Sequence, residues 1–363
     1  MFSQAFKSKK VWLSGHTGFK GAWLAEWLLE LGATVTGYAL PPETTPSLFT
    51  ELALAPRLDH LEADIRNAES VRNSLIAARP DFVFHLAAQP LVRRSYKQPV
   101  ETYETNVLGT INVLEALRSL NHPCTGLMIT TDKVYENFEH GLPFKEDDHL
   151  GGRDPYSSSK AMAEIAITAY RQSYFSNLES PVRIASARAG NVIGGGDWAE
   201  DRIVPDCIRS LQTGEPVSIR NPRATRPWQH VLEPLSGYLW LAAVLASDAE
   251  IPRTFNFGPD LESNRTVSDL VTAALSHWPG QWIDASNAHA VHEAKLLNLS
   301  INRAATALHW RPLWGFEDTV ERTVSWYRAF HEGRVDAGNF TRAQIQAYSE
   351  TARREGLQWA QSL

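Results

Sequence analysis

Residues 11–32, VWLSGHTGFKGAWLAEWLLELG, set the reading of everything that follows. Val11-Trp12-Leu13-Ser14 has the pattern of a short buried strand. Gly15-His16-Thr17-Gly18-Phe19-Lys20-Gly21 comes next, and the following AWLAEWLLELG reads as an amphipathic helix closed by Gly32. A glycine-rich turn between strand and helix lets backbone N–H groups approach a pyrophosphate at the positive end of the helix dipole. The spacing is G-x-x-G-x-x-G, not G-x-G-x-x-G. The plain alternative is a tight βα turn that binds nothing, but the strand–turn–helix context favours a dinucleotide.

Working outward, a second strand spans residues 33–38, and no acid for a ribose stands at its end, only Ala39-Leu40-Pro41-Pro42. His60 to Arg66 looks like a third strand and its exit; Asp64 could meet an adenine amino group or cap the helix predicted for residues 68–78. Residues 81–89, DFVFHLAAQ, make a fourth strand ending in small residues. A helix is predicted over about 100–120, a fifth strand over 125–130 and a sixth over 182–187. Strands alternating with helices at this spacing predict an α/β fold with a doubly wound parallel sheet of Rossmann type. Ligands bind such sheets beyond the carboxyl ends of the strands, where Thr131, Asp132 and Lys133 fall.

Past residue 188 the texture changes to a glycine-rich stretch, RAGNVIGGGDW. A helix is predicted from about Asp201 to Leu211, another over 233–245, a strand over 254–258 and a polar, helical tail over 340–363. We divide the chain into a dinucleotide-binding domain, 1–188 with 229–258 returning to it, and a smaller mixed α/β C-terminal domain for the substrate, 189–228 and 259–363. Arg220, Arg223 and Arg226 suit a diphosphate, or equally form a solvated basic loop.

Composition bounds the partners. The 363 residues carry a net charge of -6 and no basic block, which argues against nucleic acid. Apolar runs are too short to span a membrane. Residues 1–10 show no signal-peptide core. Two distant cysteines, Cys124 and Cys207, suggest a reducing compartment. His289-x-x-His292 lacks the company of a metal site, so no metal is expected.

Chemistry concentrates between Ile129 and Lys160, in ITTDKVYEN and DPYSSSK. Tyr156 and Lys160 are one helical turn apart and share a face. An ammonium beside a phenol favours the phenolate and is expected to lower the tyrosine pKa. Such a tyrosine can take a proton from a sugar hydroxyl while hydride leaves the same carbon. The pair alone is a weak signal; the Gly15–Gly21 loop upstream strengthens it.

These residues carry a resemblance. SGHTGFKGAWL, ITTDKVYEN, DPYSSSKAMAE, RAGNVIGGGDWAEDRIVPD and RNPRATRPWQHVLEPL together resemble the extended short-chain dehydrogenase/reductases. Within them the chain is most similar to the nucleotide-sugar branch of CDP-glucose 4,6-dehydratases. The likeness extends to about residue 330 through HEAKLLNLS and LHWRPLW. Related dTDP-glucose and GDP-mannose dehydratases carry Asp-Glu after the threonine, whereas this chain has Asp132-Lys133. The resemblance implies NAD-dependent dehydration of CDP-glucose to its 4-keto-6-deoxy product, for 3,6-dideoxyhexose and lipopolysaccharide biosynthesis in the cytoplasm.

It also implies roles. Tyr156 would take the C4 hydroxyl proton, with Thr131 bonded to that hydroxyl and Lys160 holding the cofactor ribose. Asp132, kept protonated in a dry pocket, would be the acid at C6. Lys133 would be the C5 base or a charged stabiliser of the C5 enolate. Cofactor contacts would be Gly15, His16, Thr17, Gly18, Phe19, Lys20, Gly21, Asp64, Ile65, Ala87, Ala88, Gln89, Asn106, Thr130, Tyr156 and Lys160. Substrate contacts would be Asn191, Arg202, Arg220, Arg226, His230 and Asn256. NAD is preferred because no basic residue follows the second strand; Lys20 is the feature favouring NADP. Relatives pair helices near 100–120 and 157–175 into homodimers or homotetramers, for which Val107, Ile111, Leu114, Ile165 and Ile167 are the apolar candidates. A nucleotide-sugar 4-epimerase, a dehydratase of another nucleotide-glucose and a non-catalytic dinucleotide-binding protein are the alternatives. The Thr131-Asp132-Lys133 run tilts against the epimerase, and intact Tyr156, Lys160 and Asp132 against the last.

Overall fold

A computed structural model describes residues 1–138, 141–176, 180–247, 250–286 and 297–361. The His289/His292 pair lies outside the described residues. Seven strands form one parallel sheet: β1 (Lys10–Ser14), β2 (Thr34–Ala39), β3 (Asp59–Glu62), β4 (Phe82–His85), β5 (Cys124–Ile129), β6 (Val182–Ala189) and β7 (Thr254–Phe257). Their order is β3-β2-β1-β4-β5-β6-β7, with every neighbouring pair parallel. The direction of winding reverses between β1 and β4, the position where such sheets open a crevice.

Alternation along each strand builds a core on both faces. Val11, Leu13, Phe82, Phe84, Leu127 and Ile129 face helices α1 (Phe19–Glu30) and α6 (Leu232–Ala246). Trp12, Val83, Met128 and Ile184 face the other way, against α2 (Ala68–Ala78), α3 (Gly109–Arg118) and α4 (Pro155–Tyr170). Each large apolar side chain so buried contributes about 1.5–3 kcal/mol.

Two details differ from expectation. The predicted helix over 100–120 is broken: Pro99–Tyr103 is helical, Glu104–Leu108 widens into a π-turn, and α3 begins at Gly109. Asn67, not Asp64, caps α2, its side chain accepting the Ser70 amide at 3.0 Å.

Beyond the sheet, Val217–Ile219 pairs in parallel with Trp282–Asp284. Helices α5 (Ile203–Thr213), α7 (Val267–His277) and α8 (Phe316–His331) surround them. Helix α9 (Ala337–Arg354) lies within the stretch assigned by sequence to the substrate unit. It packs on α1, placing Arg342 3.1 Å from the fully buried Glu26, which Arg57 also holds at 2.6 Å. Trp359 stacks on Phe2 at 5.0 Å.

Candidate active site

The crevice at the strand ends is a cavity of about 940 Å³. Its first wall is the glycine loop. Gly15 has φ +76°, and a Cβ there would lie 2.7 Å from the Ala87 nitrogen. A Cβ on Gly21 would strike the Gly15 carbonyl at 2.0 Å, whereas one on Gly18 would meet nothing closer than 3.5 Å. Thus Gly15 and Gly21 bring loop, helix and β4 together, and Gly18 leaves bare backbone facing the cavity. Among the described residues no side chain caps the start of α1, which leaves its first N–H groups for an anion. Ser14 Oγ accepts the Leu86 and Ala87 amides at 3.1 and 3.2 Å, fixing the small residues beyond β4 against this loop. A loop so stripped of side chains fits a dinucleotide pyrophosphate.

The second wall follows β5. Thr131 donates to Asp132 Oδ1 at 2.9 Å, and Lys133 Nζ lies 3.5 Å from the same oxygen. Asp132 is fully buried, and its Oδ2 has no hydrogen-bond partner among the described residues. Opposite, α4 starts at a Pro155 preceded by Asp154, whose carboxylate accepts the Ser157 amide at 2.9 Å. That cap sets the turn that brings Tyr156 and Lys160 onto the cavity wall with Thr130, Thr131, Asp132 and Lys133.

The electrostatics correct one expectation. The Tyr156 phenol is pushed up to about 12, not lowered: burial dominates, and the hydrogen bond with Thr131 only partly opposes it. Lys160 is itself brought down to about 8 by burial, against the pull of Glu164. Lys20 is also lowered to about 8, first by burial and then by Arg202 and Lys160. Its Nζ lies 3.5 Å from the Tyr238 hydroxyl. Lys20 therefore faces the Asp132 and Arg202 side of the cavity rather than the end of β2. Its support for NADP falls away.

The structure brings together Gly15, Thr17, Gly18, Phe19, Lys20, Gly21, Asp64, Ile65, Ala87, Ala88, Asn191, Arg202, Arg220 and Arg226 on the same wall. Asp64 is there but ion-paired to Arg66 at 2.6 Å. Arg202 is held by Asp197 at 2.7 Å, and Arg220 by Asp201 at 2.5 Å. Lys133, Asn191, Arg202 and Arg226 also border a smaller side cavity of about 190 Å³.

Five predicted contacts lie off this wall. His16 is fully buried behind the loop, 2.8 Å from His60, where burial brings it down to about 3. Asn106 clamps both backbone groups of Gln89, at 2.8 and 3.1 Å, and also bonds Ser159. Gln89 turns inward to Thr102 and the Leu91 amide. Thus Asn106 and Gln89 shape the backbone behind Ala88. His230 is packed between Trp23 and Trp314. Asn256 bonds the Tyr135 hydroxyl and the Phe144 carbonyl. Both are core residues, because β7 and the start of α6 lie inside the sheet's packing rather than at the crevice.

One group escaped the sequence reading. Glu164, one turn after Lys160, is fully buried and bonded by Thr130, Ser186 at 3.0 Å and Arg188 at 2.9 Å. The only signal was its i+4, i+8 spacing from Lys160 and Tyr156.

Comparison with known proteins agrees with this geometry. Residues 13–323 match a family model described as GDP-mannose 4,6 dehydratase. A CDP-glucose 4,6-dehydratase of Salmonella typhimurium is 46% identical over 334 residues, covering 90% of this chain and 93% of that protein. A dTDP-glucose 4,6-dehydratase of Mycolicibacterium smegmatis is 28% identical, covering 88% and 93%. Among solved structures, a UDP-glucose 4-epimerase of Thermotoga maritima superposes with a TM-score of 0.76 at 21% identity, covering 88% of this chain and 99% of that one. A dTDP-glucose 4,6-dehydratase of Bacillus anthracis does so at 0.73 and 20%, covering 90% and 98%. These last two speak for the fold alone. A family match over most of the length, joined to a near-full-length relative at 46% identity, makes this chain a member of the GDP-mannose 4,6-dehydratase family, among the nucleotide-sugar enzymes of the extended short-chain dehydrogenase/reductases.

Proposed function

We propose that the chain dehydrates CDP-D-glucose to CDP-4-dehydro-6-deoxy-D-glucose, with NAD as its cofactor. The observation that carries this reading is Asp132: a buried carboxyl with one unpartnered oxygen, in one cavity with Tyr156, Lys160 and Lys133. Proton transfer at C4 alone has no use for it. The choice of cytidine follows the Salmonella relative.

Gly15 to Gly21 and the start of α1 would hold the cofactor pyrophosphate, and Lys160 its nicotinamide ribose. When bound, NAD supplies a reversible hydride acceptor beside the hexose and a positive charge near Tyr156. Tyr156 takes the C4 hydroxyl proton, with Thr131 orienting that hydroxyl. A phenol resting near 12 needs positive charge beside it to do so, which makes its proton transfer depend on a filled site. Lys133, whose Nζ lies 3.5 Å from Asp132 Oδ1, serves C5. Asp132 delivers a proton to the departing O6. Arg226, Arg202 and Arg220 neutralise the diphosphate, and Asn191 contacts the sugar.

The product serves 3,6-dideoxyhexose and lipopolysaccharide biosynthesis in this reading. The free thiols of Cys124 and Cys207 fit a reducing cytoplasm, and no described helix is long and apolar enough to cross a membrane. A homodimer would cover Val100, Leu108, Met162 and Ile165, which are 47–67% exposed along the two helical segments. Val107, Leu114 and Ile167, first considered for that face, are buried in the core.

The test is incubation of the chain with NAD and CDP-, UDP-, dTDP- or GDP-glucose, followed by alkali. A 4-ketosugar chromophore with CDP-glucose is expected. CDP-galactose without the chromophore would replace the reading by a 4-epimerase, and no product at all would overturn it.

A further inference from the structure

Gly190 follows the end of β6, inside the RAGN stretch. It is absent from the glycines with positive φ, so its backbone would accept any residue. Space is what excludes a side chain. A Cβ on Gly190 would sit 2.8 Å from Asp132 Oδ2 and 3.4 Å from Asp132 Cγ, with Pro227 Cγ next at 3.5 Å. Oδ2 is the oxygen that has no hydrogen-bond partner among the described residues. The other oxygen is fixed by Thr131 and Lys133. The carboxyl is thus anchored through Oδ1, and a side chain on Gly190 would press on Oδ2.

We infer that Gly190 is a positioning residue for Asp132: its missing side chain is what lets the carboxyl keep the orientation from which it protonates O6 of the hexose. This inference rests on the dehydratase reading above. In the elimination, the C5 proton leaves to a base, the C5–C6 double bond forms and the C6–O bond breaks. The Asp132 proton departs with O6 as water, leaving Asp132 a carboxylate. A methyl on Gly190 turns the carboxyl, because the side-chain end yields more readily than the backbone beside β6. Only the step that needs the acid should suffer.

The experiment uses Gly190→Ala with two substrates. CDP-glucose needs a proton on its leaving group, whereas CDP-6-chloro-6-deoxyglucose releases chloride without one. We expect kcat to fall roughly 100-fold or more with the first and less than about threefold with the second. Exchange of the C5 hydrogen with deuterated solvent should persist with both. Equal loss on both substrates, or no loss on either, would overturn the inference.

A melt decides the positional claim without substrate. Gly190→Ala should lower Tm by roughly 2–4 °C in the otherwise unchanged chain. It should leave Tm nearly unaltered in Asp132→Ala, where the atom it strikes is gone. Should Gly190→Ala alone not fold, the double variant must still fold as Asp132→Ala does; its failure would reject the claim. A lack of product from the unaltered chain would sink the dehydratase reading instead, and the melt would still judge Gly190.

Discussion

Glu164 and Asp132 are two buried carboxylates flanking the end of β5, and they are held in opposite ways. Glu164 is bonded by Thr130, Ser186 and Arg188. Burial favours its neutral form, but Arg188 and the two hydroxyls outweigh that and hold its pKa below the usual glutamate value. Asp132 has one oxygen engaged and one bare. A carboxylate with its oxygens engaged is locked into one charge state and one place. A carboxyl with one oxygen unengaged is held on one side only and can turn toward something that enters the cavity. The molecule thus separates holding from reacting across one strand end.

The strongest way to break the comparison is Asp132→Asn. It should cut dehydratase kcat by roughly 10²–10⁴ while the thermal melt stays close to that of the unaltered chain. A large loss of Tm would make Asp132 a holding group after all. Glu164→Ala should do the reverse in the denaturant melt. Stranding Arg188 should cost about 3–5 kcal/mol of unfolding free energy, and variants that fold should bind nucleotide sugar nearly as before.

Acid sharpens the contrast. The folded pKa of Glu164 lies below its unfolded value, so its stabilisation is complete above about pH 4.3 and is lost as pH falls through the folded value. Unfolding free energies of the unaltered chain and Glu164→Gln should therefore converge on acidification. Convergence on raising the pH would contradict the assignment. The smallest effect belongs to the exposed rim. Arg220→Ala breaks ion pairs to Asp201 and Asp206 that are 33–40% exposed, and should cost at most about 1 kcal/mol in the melt. The KM for CDP-glucose should nonetheless rise, and the salt dependence of binding should weaken.

Much of the sheet was legible because its signals are local. Phe82-Val83-Phe84 could only be a strand buried on both faces, and Gly15 to Gly21 between strand and helix told where the crevice opens. That Tyr156, Lys160, Thr131 and Asp132 line one cavity was legible through spacing and resemblance. The misreadings share a different cause. Whether Tyr156 is acidic depends on how deeply it is buried, which spacing does not encode. His230 and Asn256 look like polar site residues until the tryptophans and Tyr135 close over them. The π-turn at Glu104–Leu108 contains neither proline nor glycine, and Gly109 directly after it is by itself no sign of a widened turn. Glu164 was hidden because the residues that satisfy it come from β6 and from the end of β5.

Helix α1 carries the glycine loop at one end and Glu26 near the other. The guanidinium that completes the pairing of Glu26 is 316 residues further along the chain. At about 5–20 residues per second, a ribosome needs roughly 15–60 s to reach it. Throughout that interval the nascent helix lacks this second guanidinium beside Glu26, and its outer face lacks the cover of Tyr348 and Trp359. Helix α1 therefore gains its last packing partners only after residue 359 has been made.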